Sequence, residues 1–338
     1  MYPSEEFNYG GIFVKNQFDY LVKNFENHTF TIKAMKRKNS TFFGSVFKYI
    51  YFFISSFGFL FKPFDVVHIH YFSFHFVFVL IYKMVHPGTV IVLTLHGSDV
   101  NMFSENKFLR KAVNILLRYS GVVTICVGRK LADNFFDKFN LKSDYILPAG
   151  VNDEIFYQDK EIKKEYNLTF VGSFSKLKGV DLMLEAIRKY KLNYKWCFIG
   201  TGPYLNQLKS VSNEYNLDIY SKLNHKEIAI KLNQSKYFIL PSRSEGFPLA
   251  SIEALYCGVP VICSNLEQFK EQVKDDENGF IIEESSSESI KNTIKKALSI
   301  SDEEYKRLTA NASFSNREFT LKNVCNELIK IYKKASKK

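Results

Sequence analysis

The stretch that most constrains the fold runs from Lys236 to Cys263. A short apolar, aromatic-rich run, Lys236 to Leu240 (K-Y-F-I-L), leads into P-S-R-S-E-G-F-P-L-A-S-I-E-A-L-Y-C-G-V-P, and a second apolar run, Val259 to Cys263 (V-P-V-I-C), closes it. Runs of that length, bounded by Pro and Gly, read as buried strands. Pro248 suits a first helical turn and Gly258 a C-terminal stop. The segment therefore reads as strand, loop, helix, strand: one βαβ unit of a parallel sheet in an α/β protein.

Two carboxylates stand out in this unit, Glu245 in the loop and Glu253 in the second turn of the helix. At ~1.5 Å rise per residue Glu253 lies only ~7.5 Å along the axis from Pro248, and helical side chains lean toward the N-terminus. Both acids can then look into the crevice at the carboxyl end of the sheet, where open α/β sheets bind ligands. A helix start offers free N–H groups and positive dipole, so it suits an anion, and Gly246 lets backbone come close. Carboxylates beside that anion must accept hydrogen bonds from neutral hydroxyls flanking it. A nucleotide sugar has this layout: Glu253 takes the ribose, the backbone of Gly246, Phe247, Pro248 and Leu249 the diphosphate, and Glu245 faces the sugar. Taken singly, Glu245 is read more simply as a helix cap and Glu253 as a solvated side chain, since charged residues are mostly surface residues.

The pattern of Glu, seven residues, Glu, with G-F-P-L between and E-A-L-x-x-G-x-P-V-I behind, resembles the signature of the family 4 retaining glycosyltransferases. The resemblance implies a GT-B fold, two Rossmann-like domains facing a central cleft. On that plan residues 1–152 form the N-terminal, acceptor-side domain, 153–164 a linker, 165–316 the nucleotide-sugar-binding domain, and 317–338 a helix returning to the first domain. Lys178, in K-G-V-D-L-M-L-E-A, matches the family's phosphate-binding lysine, and His96, in T-L-H-G-S-D, the residue that approaches the donor sugar or its phosphate. Lys178, His96 and Glu245 are thus the catalytic candidates. Donor contacts fall on Gly10, Gly11, Ser173, Gly246, Phe247, Pro248, Leu249, Glu253, Gly200 and Gly202. Ser173 stands where relatives often carry arginine, so the expectation is that one phosphate contact is missing or replaced by the hydroxyl. Relatives also have a hydrophobic strand before the glycine turn, whereas residues 1–8 contain a proline, a serine and two glutamates. The expectation is that the true start lies upstream or that the N-terminal sheet lacks its first, central strand.

Composition narrows the partners. The 338 residues suffice for two domains. A net charge of +11 implies an anionic partner, but no helix-turn-helix, finger or RNA-binding signature accompanies it, so nucleic acid is not expected. Five scattered cysteines without C-x-x-C suggest neither disulfides nor zinc and fit a reducing cytoplasm. Nothing in M-Y-P-S-E-E-F-N-Y resembles a signal peptide. No metal and no cofactor are expected, the nucleotide sugar being a substrate.

The remaining motifs are less specific. His28 to Ala34 reads as a strand by β-branched content. Basic residues from Lys33 then precede an aromatic stretch, Phe42 to Phe61. Two readings of it stand level: an interfacial helix on anionic lipid, which would put the protein on the inner face of the membrane, and a core helix. His68 and His70, in D-V-V-H-I-H-Y, share a strand face, more simply as cleft-lining histidines than as a metal pair. Ser73 to Val85 reads as a buried helix, and Glu227 to Asn233 as a short one. The expected activity is metal-independent transfer of a hexose-type sugar from a UDP or GDP sugar to a glycan or lipid-linked hydroxyl, with configuration retained, in surface polysaccharide synthesis. Two readings compete: a nucleotide-sugar isomerase of similar fold, and a membrane-attached partner protein with a decayed site.

Overall fold

The computed structural model describes residues 11–35 and 42–337. In chain order its elements are α1 (Ile12–Asn24), α2 (Phe42–Ser56), a 3-10 turn (Phe57–Phe61), β1 (Val66–His70), α3 (Phe76–Val85), β2 (Val90–Leu95), α4 (Ser98–Ser104), α5 (Lys107–Tyr119), β3 (Val123–Cys126), α6 (Arg129–Phe139) and β4 (Tyr145–Ile146). There follow β5 (Tyr166–Val171), α7 (Val180–Tyr190), β6 (Trp196–Ile199), α8 (Leu205–Val211), β7 (Leu217–Tyr220), α9 (His225–Asn233) and β8 (Ser235–Leu240). The last group is α10 (Leu249–Tyr256), β9 (Val261–Ser264), α11 (Glu267–Lys270), β10 (Gly279–Ile282), α12 (Ser287–Ser299), α13 (Asp302–Phe314) and α14 (Leu321–Ala335). The chain divides into two compact units, residues 1–150 with 319–338, and residues 151–318.

The second unit holds a six-stranded parallel sheet in the order β10-β9-β8-β5-β6-β7. Counted within the unit that is 6-5-4-1-2-3, the doubly wound order, whose direction reverses between β5 and β8. Its inner strands carry no alternation because helices cover both faces: all of Trp196 to Ile199 and of Val261 to Cys263 is buried. The βαβ unit forms as read, with Pro248 just outside α10 as its N-cap rather than inside its first turn. At the other end Val259 N–H bonds the Ala254 carbonyl and Gly258 N–H that of Leu255, a Schellman turn that hands the chain to β9.

Among the described residues the first unit has a four-stranded parallel sheet, β1-β2-β3-β4. Helices α1 and α14 lie on it: Leu21 from α1 meets Leu321, Cys325, Leu328 and Ile331 from α14 over Val92 and Ile125. The final helix therefore belongs to the unit that the chain began.

Four expectations need correction or restriction. Residues 28–34 form no strand, although Phe30 packs against the α1–α14 core. A strand needs a neighbour to return its hydrogen bonds, and among the described residues this segment has none. Residues 153–164 are not a free linker but part of the second unit, because Phe156 is fully buried there and packs against His225. The helix read over 73–85 is only half buried: Phe76, Phe78, Val79 and Tyr82 face inward while Val77, Ile81 and Met84 face solvent. Gly10 and residues 1–8, with the question of the first strand, lie outside the described residues.

The α14 packing is open to test. Leu328 is 1% exposed in that core, so Leu328→Ala should cost roughly 2–5 kcal/mol. In urea unfolding the transition of the first unit should move to lower concentration while that of the second stays put; an unmoved curve would show that α14 contributes no core.

Candidate functional site

In the second unit the loops after β5 and β8 leave the carboxyl ends of neighbouring strands, at the point where the strand order reverses. Neighbouring helices diverge at such a point and leave a crevice. Arg243 in the β8 loop stitches the two loops together. Its guanidinium makes a paired bond, 2.7 Å on each arm, to the Asp181 carboxylate, it donates to the Lys176 carbonyl, and its N–H donates to the Leu177 carbonyl at 2.8 Å. Gly179, the N-cap of α7, lies so near that a Cβ would stand 2.0 Å from the Pro241 carbonyl oxygen, and its φ of +73° favours glycine as well.

This clamp brings Lys178 and Glu245 together. The lysine ammonium donates to both carboxylate oxygens, at 2.7 and 2.6 Å, and the glutamate side chain is only 6% exposed. Ser242 Oγ also donates to Glu245 Oε1 at 2.6 Å, and Gln268 holds the Glu245 carbonyl at 3.0 Å. Glu245 is thus a bound side chain and not the cap of α10, whose N-cap Pro248 has no side-chain bond. Its environment fixes the carboxylate in one orientation.

Glu253 is held differently. Burial pushes its carboxyl up to about 7, and among the described residues no group donates a hydrogen bond to it. The N–H groups of Gly246, Leu249 and Ala250 likewise have no acceptor among the described residues. An unpaired acceptor and a row of unpaired donors on one loop and helix start are what a ligand with both hydroxyls and negative charge would satisfy.

Of the other donor candidates in this unit, Ser173 bonds Ser175 through its hydroxyl at 3.0 Å. Gly200 and Gly202 lie against the loop that carries Ser173: a Cβ at Gly200 would stand 1.9 Å from the Gly172 carbonyl oxygen. Both glycines therefore let two loops approach each other, which accounts for them without a ligand. Phe247 lies between Gly246 and Pro248 in the β8–α10 loop.

His96 and Gly11 belong to the first unit, so they are not brought together with Lys178 within one unit. Gly11 caps α1, and Phe13 of that helix stands 5.0 Å from the His96 ring. Asp99, buried, accepts from the N–H groups of Phe72, His96, Gly97 and Val100, so it pins the turn that carries His96 to the end of β1. Burial pushes its carboxyl upward, and these four bonds work against that shift.

Three histidines meet beside this turn. His68 bonds the Tyr332 hydroxyl through Nδ1 at 2.6 Å and Thr94 through Nε2 at 2.7 Å; His70 Nδ1 and His96 Nε2 lie 3.2 Å apart, and Tyr71 stacks on His96 at 4.1 Å. Burial lowers all three below the usual imidazole range, His70 to about 3, and the rings' mutual repulsion adds to this for His68 and His96. All three are neutral near pH 7, and in the His70–His96 pair one ring N–H donates to the bare nitrogen of the other. Both ring nitrogens of His68 are used within the fold, and among the described residues no group of three or more His, Cys, Asp or Glu could hold a metal ion.

Sequence reading did not single out the residues that hold Glu245 and His68 in place. Arg243, Ser242 and Gln268 hold Glu245, but nothing in their local pattern sets them apart. Tyr332 lies 264 residues from His68. The start of α9 was legible: N-H-K-E over Asn224 to Glu227 is a capping box, and the helix begins there and not at Glu227.

Two Rossmann-like parallel units of this kind are the GT-B architecture, and the chain belongs to the family described as "Glycosyl transferases group 1", whose profile matches residues 151–313; the profile "Glycosyltransferase Family 4" matches residues 27–155. An uncharacterized glycosyltransferase of Methanocaldococcus jannaschii, MJ1178, is 30% identical over 250 residues, 72% of this chain and 68% of that one. The putative teichuronic acid biosynthesis glycosyltransferase TuaC of Bacillus subtilis is 30% identical over 191 residues, 52% of this chain and 46% of its own length. Among solved structures, Anabaena HepE in complex with UDP-glucose superposes with a TM-score of 0.71 at 14% identity, covering 93% of this chain and 89% of that one.

The histidine cluster makes stability depend on pH in a stated direction. An imidazole whose folded pKa is lowered contributes stability that is present above the unfolded value, 6.5, and lost as pH falls below it. Urea midpoints of the first unit should therefore drop between pH 6.5 and about 3, beyond what His70→Asn shows over the same range. Parallel curves for the two proteins would mean that His70 is not held neutral.

Proposed function

We propose that this glycosyltransferase moves a hexose-type sugar from a UDP or GDP sugar to a hydroxyl of a glycan or lipid-linked acceptor, with retention of configuration and without a metal ion, in surface polysaccharide synthesis. The observation that carries the reading is the pair of clamped loops at the switch point of the second unit. There Lys178 and Glu245 pair on two clamped loops, next to a helix start whose N–H groups have no acceptor, and a Glu253 carboxylate with no donor, among the described residues. The names of two similar proteins support it, one bound to UDP-glucose and one assigned to teichuronic acid synthesis.

Each group then has a task set by its chemistry. Glu253 accepts from the ribose hydroxyls, which supply the donors its carboxylate does not have among the described residues. The N–H groups of Gly246 and Leu249 hold the diphosphate, with Phe247 and Pro248 shaping the loop between them. An ammonium has three N–H donors; two of those of Lys178 go to Glu245, and the third is directed to the phosphate. As the anomeric carbon–oxygen bond breaks, negative charge grows on the departing diphosphate, where these fixed donors already stand. The acceptor oxygen bonds the same face of the anomeric carbon, and its proton passes to a diphosphate oxygen. Glu245, with both oxygens engaged by Lys178 and Ser242, orients the sugar and is a poor nucleophile. His96 is assigned to the donor sugar or its phosphate as a neutral hydrogen-bonding imidazole. Gly11, Ser173, Gly200 and Gly202 serve by backbone placement.

Three measurements test the assignment. A thermal-shift panel of UDP, GDP and ADP with their sugars identifies the donor. With the stabilising sugar nucleotide, which does not titrate near neutrality, affinity should rise as pH increases through about 7, where Glu253 ionises. Glu253→Gln should bind weakly at every pH; a variant with full affinity and the same pH profile ends the ribose assignment. Lys178→Ala should lower kcat by about 10²- to 10³-fold with a smaller effect on donor affinity, the loss expected for a leaving-group donor. Undiminished turnover would remove Lys178 from the reaction.

A further inference from the structure

The segment from 42 to 61 contains eight phenylalanines, two tyrosines and a single charge, Lys48. Its helix, α2, is apolar on two opposite sides. One side packs on α3 and the residues before it: Tyr49 lies 5.9 Å from Phe74, and Phe52 and Phe53 lie 6.2 and 5.9 Å from Phe78. The other side, Phe47, Ile50, Tyr51 and Ile54, follows i, i+3, i+4, i+7 spacing and faces solvent, with Phe47, Tyr51 and Ile54 exposed by 67, 74 and 71%. Phe57 and Phe61 of the 3-10 turn extend the exposed stripe. Among the described residues nothing covers it. A helix apolar all round is ordinarily buried in a core or in a membrane.

Charge decides between the occupants. From residue 27 to residue 98 the only acid is Asp65, against Lys33, Lys36, Arg37, Lys38, Lys48, Lys62 and Lys83. Lys33 reaches the end of α2, bonding the Ser55 carbonyl at 3.0 Å, and exposed Lys62 follows the 3-10 turn directly. A second copy of the chain would bring exposed Lys33 and Lys62 against their own equivalents. An anionic lipid surface complements it, the acyl boundary taking the rings and the headgroups the lysines. At 15 residues α2 is about 22 Å long, short of the ~30 Å hydrocarbon core, and its other side is committed to α3. No helix among the described residues is long and apolar enough to span a membrane. We propose that α2 and the turn after it lie flat in the interface of an anionic bilayer and seat the first unit on it. This assignment is independent of the donor chemistry.

The test uses the full chain with vesicles of phosphatidylcholine alone and vesicles rich in phosphatidylglycerol. The protein should float with the anionic vesicles and remain behind with the neutral ones. Tyr51→Ser with Ile54→Ser, both outward-facing, should reduce that binding by about tenfold or more with unchanged circular dichroism. Lys33→Glu with Lys62→Glu should reduce it too. As a second probe, Tyr51→Trp should keep binding and shift its emission to the blue on anionic vesicles, over the constant background of Trp196, which is fully buried. Equal flotation with both vesicle types, binding that survives the serine pair, or an unshifted tryptophan overturns the proposal. So does a dimer in sedimentation velocity that the serine pair dissolves, which would make the stripe a contact between copies.

Discussion

Lys178 and Glu245 sit 67 residues apart in sequence and meet through both carboxylate oxygens. Their pairing depends on the clamp around them, since Arg243 and Gly179 bring the two loops within bonding distance. An ion pair whose carboxylate is buried while its lysine is part-exposed gains little net stability, because the loss of hydration offsets the attraction. What it provides is placement: a cation and an anion kept in register, each partly satisfied before any ligand arrives. At the end of the same loop, α10 begins with N–H groups that have no acceptor among the described residues, and none of those residues donates to the Glu253 carboxylate. At this switch point, groups already paired within the protein thus stand beside groups that have no partner among the described residues.

The two units solve the problem of buried polar side chains in opposite ways. In the second, Lys178 pairs with Glu245 and Arg243 with Asp181, Glu253 being left without such a partner among the described residues. In the first, burial holds His68, His70 and His96 neutral, and each uses its ring nitrogens or its faces on neighbours. Asp99 is the exception, a carboxylate whose solvation is replaced by four backbone N–H groups. Those bonds shape the turn between β2 and α4, so the position of His96 follows from an acid three residues on.

Where sequence reading succeeded, the cause was local. The βαβ unit around Glu245 was legible because strand length, the proline before the helix and the glycine after it all act within one short stretch. It failed where the partner is remote. Residues 28–34 have strand composition and no ladder, since a ladder is a property of two segments. Phe156 lies in a polar stretch that looks like a linker until its burial against His225 is seen. Composition could not divide the apolar residues of α3 between core and solvent either, because inward Phe78 and outward Val77 are adjacent and equally hydrophobic. The contacts of Ser242 and Gln268 with Glu245 leave no trace in spacing.

The membership of α14 in the first unit bears on how the protein is made. Leu321, Cys325 and Leu328 complete a core begun by Leu21, yet every residue of the second unit is translated between them. On a ribosome the second unit can close as soon as α13 emerges, while the first waits with the apolar side of its sheet uncovered until the last helix is released. The half that begins synthesis first is the half that finishes folding last, so in a growing chain the hazard of aggregation lies with the older half.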